Sequence, residues 1–373
     1  MKKSVKILAL AACAACTFTL SACGGCGGCA GATTYTITTS PNWLIRGGSA
    51  DELDASSYLL ASKEVATYSI SSSGGANDSY SAEYSKDGSY TATLYAEEYD
   101  WNSPSIPQSL RVENKTGYVY VYETVLEQPG AFVMGGERHE FINKVTTKSC
   151  FLSAGNSLRP VYSLQDVECT TPNSLQPASL ETSFVVMDGR YETFYSYDGV
   201  SAQTTYSAVI TYPDSVSEIS GTYTPSVATE YTLFDAASLP VALRSMTQSG
   251  THVFDVYVPV NGLSARYQAA WGSASAITDD GWADVISVLD AATDSGYLIA
   301  GLNEDGERAY SVTPVTVSLV SAMTGPSSTY YFASVTDPDL NACRALPVRI
   351  DEVVPFNLGT ITYTLNGISL IGK

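Results

Sequence analysis

The chain has 373 residues, with 38 Asp and Glu against 19 Lys and Arg and a formal charge of −19. A charge of that sign repels phosphate backbones and anionic lipid surfaces, so nucleic acid is a poor partner. Tyr is frequent at 26 residues against 10 Phe. It crowds the same segments as Thr, Ser and Val, which favour strands over helices and point to an all-β protein.

Lys2, Lys3 and Lys6 precede an uncharged stretch from Ile7 to Leu20 that is mostly Ala, Leu and Cys. As a helix it would rise only about 21 Å, short of the roughly 30 Å hydrocarbon core that a spanning helix must cross. The pattern is that of an export signal. The next residues, Leu20, Ser21, Ala22 and Cys23, resemble the lipobox of bacterial lipoproteins: a branched apolar residue, two small residues and a cysteine. The resemblance is confined to the first 23 residues. It implies diacylglycerol in thioether linkage on Cys23, cleavage after Ala22, and a mature chain anchored by lipid on the extracytoplasmic face of a cell membrane.

Removal of residues 1–22 takes away three lysines and no acid, leaving a formal charge of −22. Residues 23–40 then form a tether rich in Gly and Cys, with a random-coil reach of roughly 20–25 Å. Residues 41–373 form the β-rich domain, with a weak candidate boundary near residue 250. Cys23, Cys26 and Cys29 have a spacing that suits a metal. The next position of a ferredoxin-like run is Thr33, however, and a thioether-linked Cys23 is no thiolate. No cofactor is expected. Cys150 and Cys169 flank a short excursion between strand-like segments, and a disulfide between them would contribute about 3 kcal/mol in the chain-entropy model. Five cysteines follow Cys23, so one thiol is left over, with Cys343 the candidate.

From about residue 78, alternating segments are separated by Asp-Gly or Asn-rich turns, the pattern of hairpins. Tyr90, Ala92, Leu94 and Ala96 share one face after a turn at Lys86-Asp87-Gly88. Val119 and Val121 oppose Tyr118, Tyr120 and Tyr122. Segments Phe184 to Met187, Tyr191 to Tyr197 and Ala202 to Tyr212, joined at Asp188-Gly189 and Asp198-Gly199, read as a three-stranded meander. Towards the C-terminus, Ile361, Tyr363 and Leu365 face one way and threonines 360, 362 and 364 the other, as in a half-buried antiparallel sheet.

Two helices interrupt the strands. The first runs from Leu239 to Gln248, with Ser238 as its cap, Pro240 in its first turn and Gly250 beyond. The second runs from about Asp280 to Thr293, with Trp282, Val285, Ile286 and Leu289 on one stripe and Gly296 after it. Neither alternates regularly with strands, so a doubly wound parallel fold is disfavoured. The expectation is a large curved antiparallel sheet or incomplete barrel with two short helices that plug its concave face. Two consecutive β-sandwich domains are the alternative.

Chemistry-bearing patterns are sparse. A Ser-His-Asp triad would have to use His139 or His252, no Gly-x-Ser-x-Gly occurs, and none of the nine lysines has Ser three residues before it. Asp337, Asp339 and Asn341 open like an EF-hand loop, but Ala342 replaces the required Gly and Val348 the closing Glu. Asp279, Asp280 and Asp284 suit a helix N-terminus. Paired carboxylates for glycoside hydrolysis are not singled out. Tyr118, Tyr120 and Tyr122, with Tyr191, Tyr195 and Tyr197, form rows able to act as a platform for sugar rings or an apolar ligand, or to pair across strands.

These features favour a non-enzymatic binding or scaffolding protein of the cell envelope over a lipid or apolar-ligand carrier and, last, a polysaccharide hydrolase. The lipobox reading has a direct test. Cys23→Ala is expected to leave the protein unprocessed or lost from the membrane fraction, whereas retention and maturation like wild type would refute it.

Overall fold

The computed structural model describes Ile37, Thr39 and residues 62–76, 81–154, 157–172, 184–224, 231–320, 327–337, 342–354 and 359–372. The Cys23 site and the leading signal lie outside the described residues, as does the tether apart from Ile37 and Thr39, which are not free chain: both are buried, with Ile37 N donating to Thr232 Oγ1 at 2.9 Å and Thr39 bridging to Met246. The first half contributes β1 (Ser62–Ala76), β2 (Ser81–Tyr84), β3 (Ser89–Asp100), β4 (Thr116–Met134), β5 (Glu137–Ala154), β6 (Ser157–Pro172), β7 (Phe184–Tyr195), β8 (Ala202–Tyr212), β9 (Ser215–Tyr223) and β10 (Leu233–Asp235). Helix α1 (Leu239–Ser245) follows, then β11 (Thr251–Val258), β12 (Leu263–Trp271), β13 (Ser275–Ala276) and helix α2 (Asp279–Asp294). The chain ends with the small pair β14 (Gly301–Leu302) and β15 (Arg308–Ala309), then β16 (Ser311–Leu319), β17 (Ser327–Asp337), β18 (Ala342–Val353) and β19 (Gly359–Gly372).

All but β14 and β15 join one sheet of 17 strands. From one edge the order is β9, β8, β7, β6, β5, β4, β3, β1, β19, β18, β17, β16, β12, β11 and β10, with β2 continuing the line of β3 and β13 that of β12. Pairing is antiparallel except between β10 and β11. The sheet does not close, so the incomplete-barrel expectation holds. The strands on either side of residue 250 belong to this one sheet, since β11 reaches β1 through β12, β16, β17, β18 and β19.

Local chemistry explains both the matches and the departures. Tyr90, Ala92, Leu94 and Ala96 are all buried on the concave face, as are Ile361, Tyr363 and Leu365. The hairpin between β4 and β5 turns on Gly135 and Gly136, with φ of 59° and 88° that only glycine adopts without strain. Asp188-Gly189, by contrast, is no turn. β7 runs straight through it, pairing Gly189 with Val167 and Ala208. The glycine is needed for close approach: a Cβ there would lie 2.9 Å from Cε2 of Tyr191, whose ring folds back over the backbone. Lys86-Asp87-Gly88 likewise reverses nothing. β2 and β3 lie end to end between β1 and β4, so this turn is an excursion within one strand line.

The concavity is filled by the segment 233–246, every residue of which is buried. β10 leads into a 3-10 turn over Ala236–Ser238, capped by Asp235 Oδ1 accepting from Ala237 N at 2.9 Å. Ser238 makes no side-chain cap, and α1 stops at Ser245, before Gln248. Asp235 is also the anchor of the plug on the sheet. Its Oδ2 accepts from Tyr195 Oη at 2.5 Å and Ser163 Oγ at 2.8 Å. Around it the concave face is polar, with Thr193 bonded to Thr204 at 2.8 Å and Thr204 to Tyr257 at 2.6 Å. A second core lies on the convex face, where Tyr95, Trp101, Val119, Val121, Cys150 and Val161 pack together. β3 to β6 are therefore buried on both sides around these residues, while further along Val125 of β4 and Ile142 of β5 are exposed on the convex face.

Burial raises the Asp235 carboxyl above its ordinary value, against the hydrogen bonds from Tyr195 and Ser163 that favour the ionised form. For an acid with a raised folded pKa, the unfolded state binds fewer protons once pH exceeds about 4, so stability falls as pH rises until the folded group also ionises. Asp235→Asn is expected to flatten this part of the slope of unfolding free energy against pH. Denaturant titrations at several pH values, showing equal slopes for wild type and variant, would refute the assignment.

Candidate functional site

β18 pairs with β19 only from Arg349 to Val353, opposite Thr364 to Thr360. Beyond that point the two strands part. β18 continues beside β17 alone, and β19 continues beside β1 as far as Gly372. Helix α2 sits at this split. Its Val285 and Leu289 are fully buried in the main core, while Trp282 and Ile286 are half-buried against it. Trp282 meets the ring of Tyr331 edge-on at 5.7 Å, on the β17 side. Gly296, with φ of 74°, ends the helical segment and turns the chain inward to Tyr297.

Between α2 and β19 is a cleft of about 490 Å³. Val288, Ala291 and Tyr297 line one wall, and Gly367, Ile368 and Leu370 the other. None of the lining residues is charged. The β19 wall is shaped by a bulge: Thr67 pairs with Gly367 and Tyr68 with Leu365, leaving Asn366 as the extra residue. Thr67 Oγ1 donates to Asn366 Oδ1 at 2.6 Å. A Cβ on Gly367 would lie 2.8 Å from that hydroxyl.

The floor of the cleft reaches the one buried ion pair among the described residues. Glu64 of β1 accepts from Arg244 of α1, at 2.5 Å through Nη1 to Oε1 and 3.3 Å through Nη2 to Oε2. Tyr297 Oη donates to Glu64 Oε2, and Arg244 Nε donates to Ala345 O at 2.6 Å. Tyr68 Oη donates to Pro347 O at 2.9 Å, and burial pushes its pKa up. Ala345 and Pro347 both lie on the stretch of β18 that has no β19 neighbour. Glu64 thus has both oxygens engaged by internal donors, an arrangement suited to holding elements together and not to proton transfer.

No protein-family model matches the chain, and no curated protein matches it at a significant level. Among solved structures it is similar to a beta-barrel-like protein of a domain of unknown function from Brucella abortus, at 8% identity and a TM-score of 0.38. That similarity covers 84% of this chain and 99% of the other.

The tyrosine rows do not form an exposed platform. Tyr120, Tyr122, Tyr191 and Tyr195 are buried on the concave face, and Tyr118 is half-buried. Tyr120 stacks on Phe151 at 5.6 Å and Tyr191 on Tyr206 at 6.2 Å, so these are cross-strand and core contacts. Tyr197 leaves its row after β7 and meets Trp101 on the convex side at 5.5 Å, with the Arg159 guanidinium 4.8 Å from its ring centre. The expected disulfide is absent too: Cys150 and Cys169 are free and buried. Cys150 stands opposite Tyr162, seven residues from Cys169, a separation of roughly 23 Å along the strand. The two thiols also face opposite cores, and burial pushes that of Cys150 up. A disulfide needs Cα atoms within about 7 Å.

His139 stacks on Phe184 at 5.0 Å and His252 Nε2 lies 3.0 Å from Thr247 O, far apart in the sheet and each in a local contact. No cluster of three or more His, Cys, Asp or Glu among the described residues could hold a metal. Residues 338–341 of the EF-hand-like string lie outside the described residues. Glu64, Arg244, Tyr297 and the Asn366-Gly367 bulge are the residues that sequence reasoning missed. One signal was present: Asp235 and Arg244 are the two charges in an otherwise uncharged run from 233 to 246, and charges there require buried partners.

Removing one partner of such a pair leaves the other charge buried. Glu64→Gln is therefore expected to destabilise the fold by about 3–5 kcal/mol, and Tyr297→Phe, which removes one donor to a carboxylate, by about 1.5–3 kcal/mol. Urea unfolding of both variants checks the order, and near-wild-type midpoints for Glu64→Gln would refute the lock.

Proposed function

We propose that the protein is a non-enzymatic binding or scaffolding protein of the cell envelope, held on the extracytoplasmic side of a membrane by lipid on Cys23. The observation that carries the non-enzymatic part is the filled interior. A carrier that shelters a lipid inside an open barrel needs an apolar volume of several hundred Å³. Here that space holds the segment 233–246, buried without exception and bound at one end through Asp235 and at the other through Arg244. A hydrolase needs two carboxylates facing one another across an accessible gap. The buried acids Glu64, Asp235 and Asp255 are each committed to donors within the protein. The membrane tether rests on the run Leu20 to Cys23 and on the length of the Gly-rich segment behind it.

Native mass spectrometry and lipid extraction of protein purified from its own membrane test this reading. The expected result is a single acylated species with no stoichiometric phospholipid beyond the Cys23 modification. A bound phospholipid at one per chain would replace the scaffold by a carrier.

A further inference from the structure

We infer that the cleft between α2 and β19 binds an extended, uncharged peptide segment of a partner protein, added as a strand to the edge of β19. The argument starts from the split of the sheet. Residues 367–370 of β19, which follow the bulged Asn366, are paired with β1 on one side, and among the described residues no strand lies on the other. An open strand edge presents alternate N–H and C=O groups, which is a template for another strand. The cleft lies along this stretch, with α2 as its far wall. A groove between a helix and a free strand edge supports peptide recognition by strand addition, where backbone hydrogen bonds give affinity and alternate side chains enter pockets.

Two observations select the occupant. The cleft holds about 490 Å³, within the range of small-ligand and short-segment sites. Its five-residue strand wall spans roughly 17 Å, the reach of a pentapeptide. A simple alkyl ligand would cover the β19 backbone groups without bonding them, which is unfavourable for any polar group taken from water. The lining carries no charge, in a protein whose net charge is −19, so an acidic or basic segment finds no counter-ion there. The side chains that could compete for the peptide are already engaged: Tyr297 with Glu64, and Thr67 with Asn366. The inference goes beyond the scaffold reading and does not depend on the tether.

The test uses the full chain carrying Cys23→Ala and the blocked pentapeptide Thr-Val-Thr-Val-Thr. Calorimetry is expected to show binding with a dissociation constant on the order of 100 μM, as for short unoptimised ligands. Hydrogen exchange of the segment 366–370 should slow on binding. An analogue N-methylated at alternate residues should bind at least about tenfold more weakly, a difference of about 1.4 kcal/mol. Ala291→Trp, at an exposed position on the cleft wall, should abolish binding with an unchanged unfolding midpoint. Ser369→Trp, also exposed, serves if the first variant unfolds. No heat at millimolar peptide, equal binding by the methylated analogue, or binding of n-decanol in place of the peptide would each overturn the inference. Loss of the membrane anchor alone would leave it standing.

Discussion

Where β18 and β19 part, the backbone of β18 still has to satisfy its hydrogen-bonding groups inside the protein, and much of the architecture follows from how this is done. Buried carbonyls without partners cost as much as lost hydrogen bonds. Arg244 takes the carbonyl of Ala345 and Tyr68 that of Pro347, so two side chains replace a strand. Arg244 brings a charge into the core by doing so, and that charge requires Glu64 on β1. Glu64 in turn accepts from Tyr297, which fixes the chain leaving α2. One split in the sheet thus determines the docking of both helices.

The plug that includes α1 is held by polar anchors at either end and by carbon in the middle. Asp235 and Arg244 are nine residues apart, and each binds a different part of the sheet: β6 and β7 for the first, β1 and β18 for the second. Leu239, Ala242 and Leu243 between them are fully buried. Buried ion pairs seldom add net stability over apolar residues of similar shape, because desolvation offsets the attraction. Their value here is geometric: apolar packing alone would tolerate sliding of a seven-residue helix in a curved trough, whereas two directional anchors on opposite walls admit one placement.

The strands were legible because the alternation that a half-buried sheet imposes is local. Tyr90 to Ala96 and Ile361 to Leu365 carry it in their own residues, and the two helices carry it in their boundary glycines and apolar stripe. Asp198-Gly199 is the expected turn between β7 and β8, but the same dipeptide signal failed at Asp188-Gly189 and Lys86-Asp87-Gly88. Gly189 and Gly88 sit in strand lines because a neighbouring side chain or strand lies against them, a tertiary reason that Asp-Gly shares with a hairpin signal. Cys150 and Cys169 looked close in sequence, but with β5 and β6 antiparallel the register carries them apart, and strand alternation places them on opposite faces. Tyr118, Tyr120 and Tyr122 share a face of β4, and Tyr191 and Tyr195 one of β7, but Tyr197 lies past the end of β7 and joins the convex side. Their burial depended on the curl of the sheet and the plug, neither of which is written in those segments. The site was least legible, because the split between β18 and β19 is a property of pairing between strands and not of either strand.

The failure of the barrel to close has a physical cause that the same reasoning supplies. β9 ends at Tyr223, whose ring lies where a Cβ on Gly262 would come within 2.8 Å, so the far ends of the sheet touch. They do not pair, because β10 lies parallel to β11 and only three residues long before the chain turns inward as the plug. The strand that would have closed the seam is spent on filling the interior. Cross-wall bonds from Asp235 to Ser163 and Tyr195, and from Tyr257 to Thr204, replace the missing ladder. Closure by side chains leaves β9, among the described residues, with one neighbouring strand, and the split leaves β19 with one beside α2. The first edge, nine residues long, carries exposed Glu218 near its middle, a charge of the kind that discourages strand addition. The second lacks any such charge along its cleft, and this asymmetry is why a partner strand is assigned to β19.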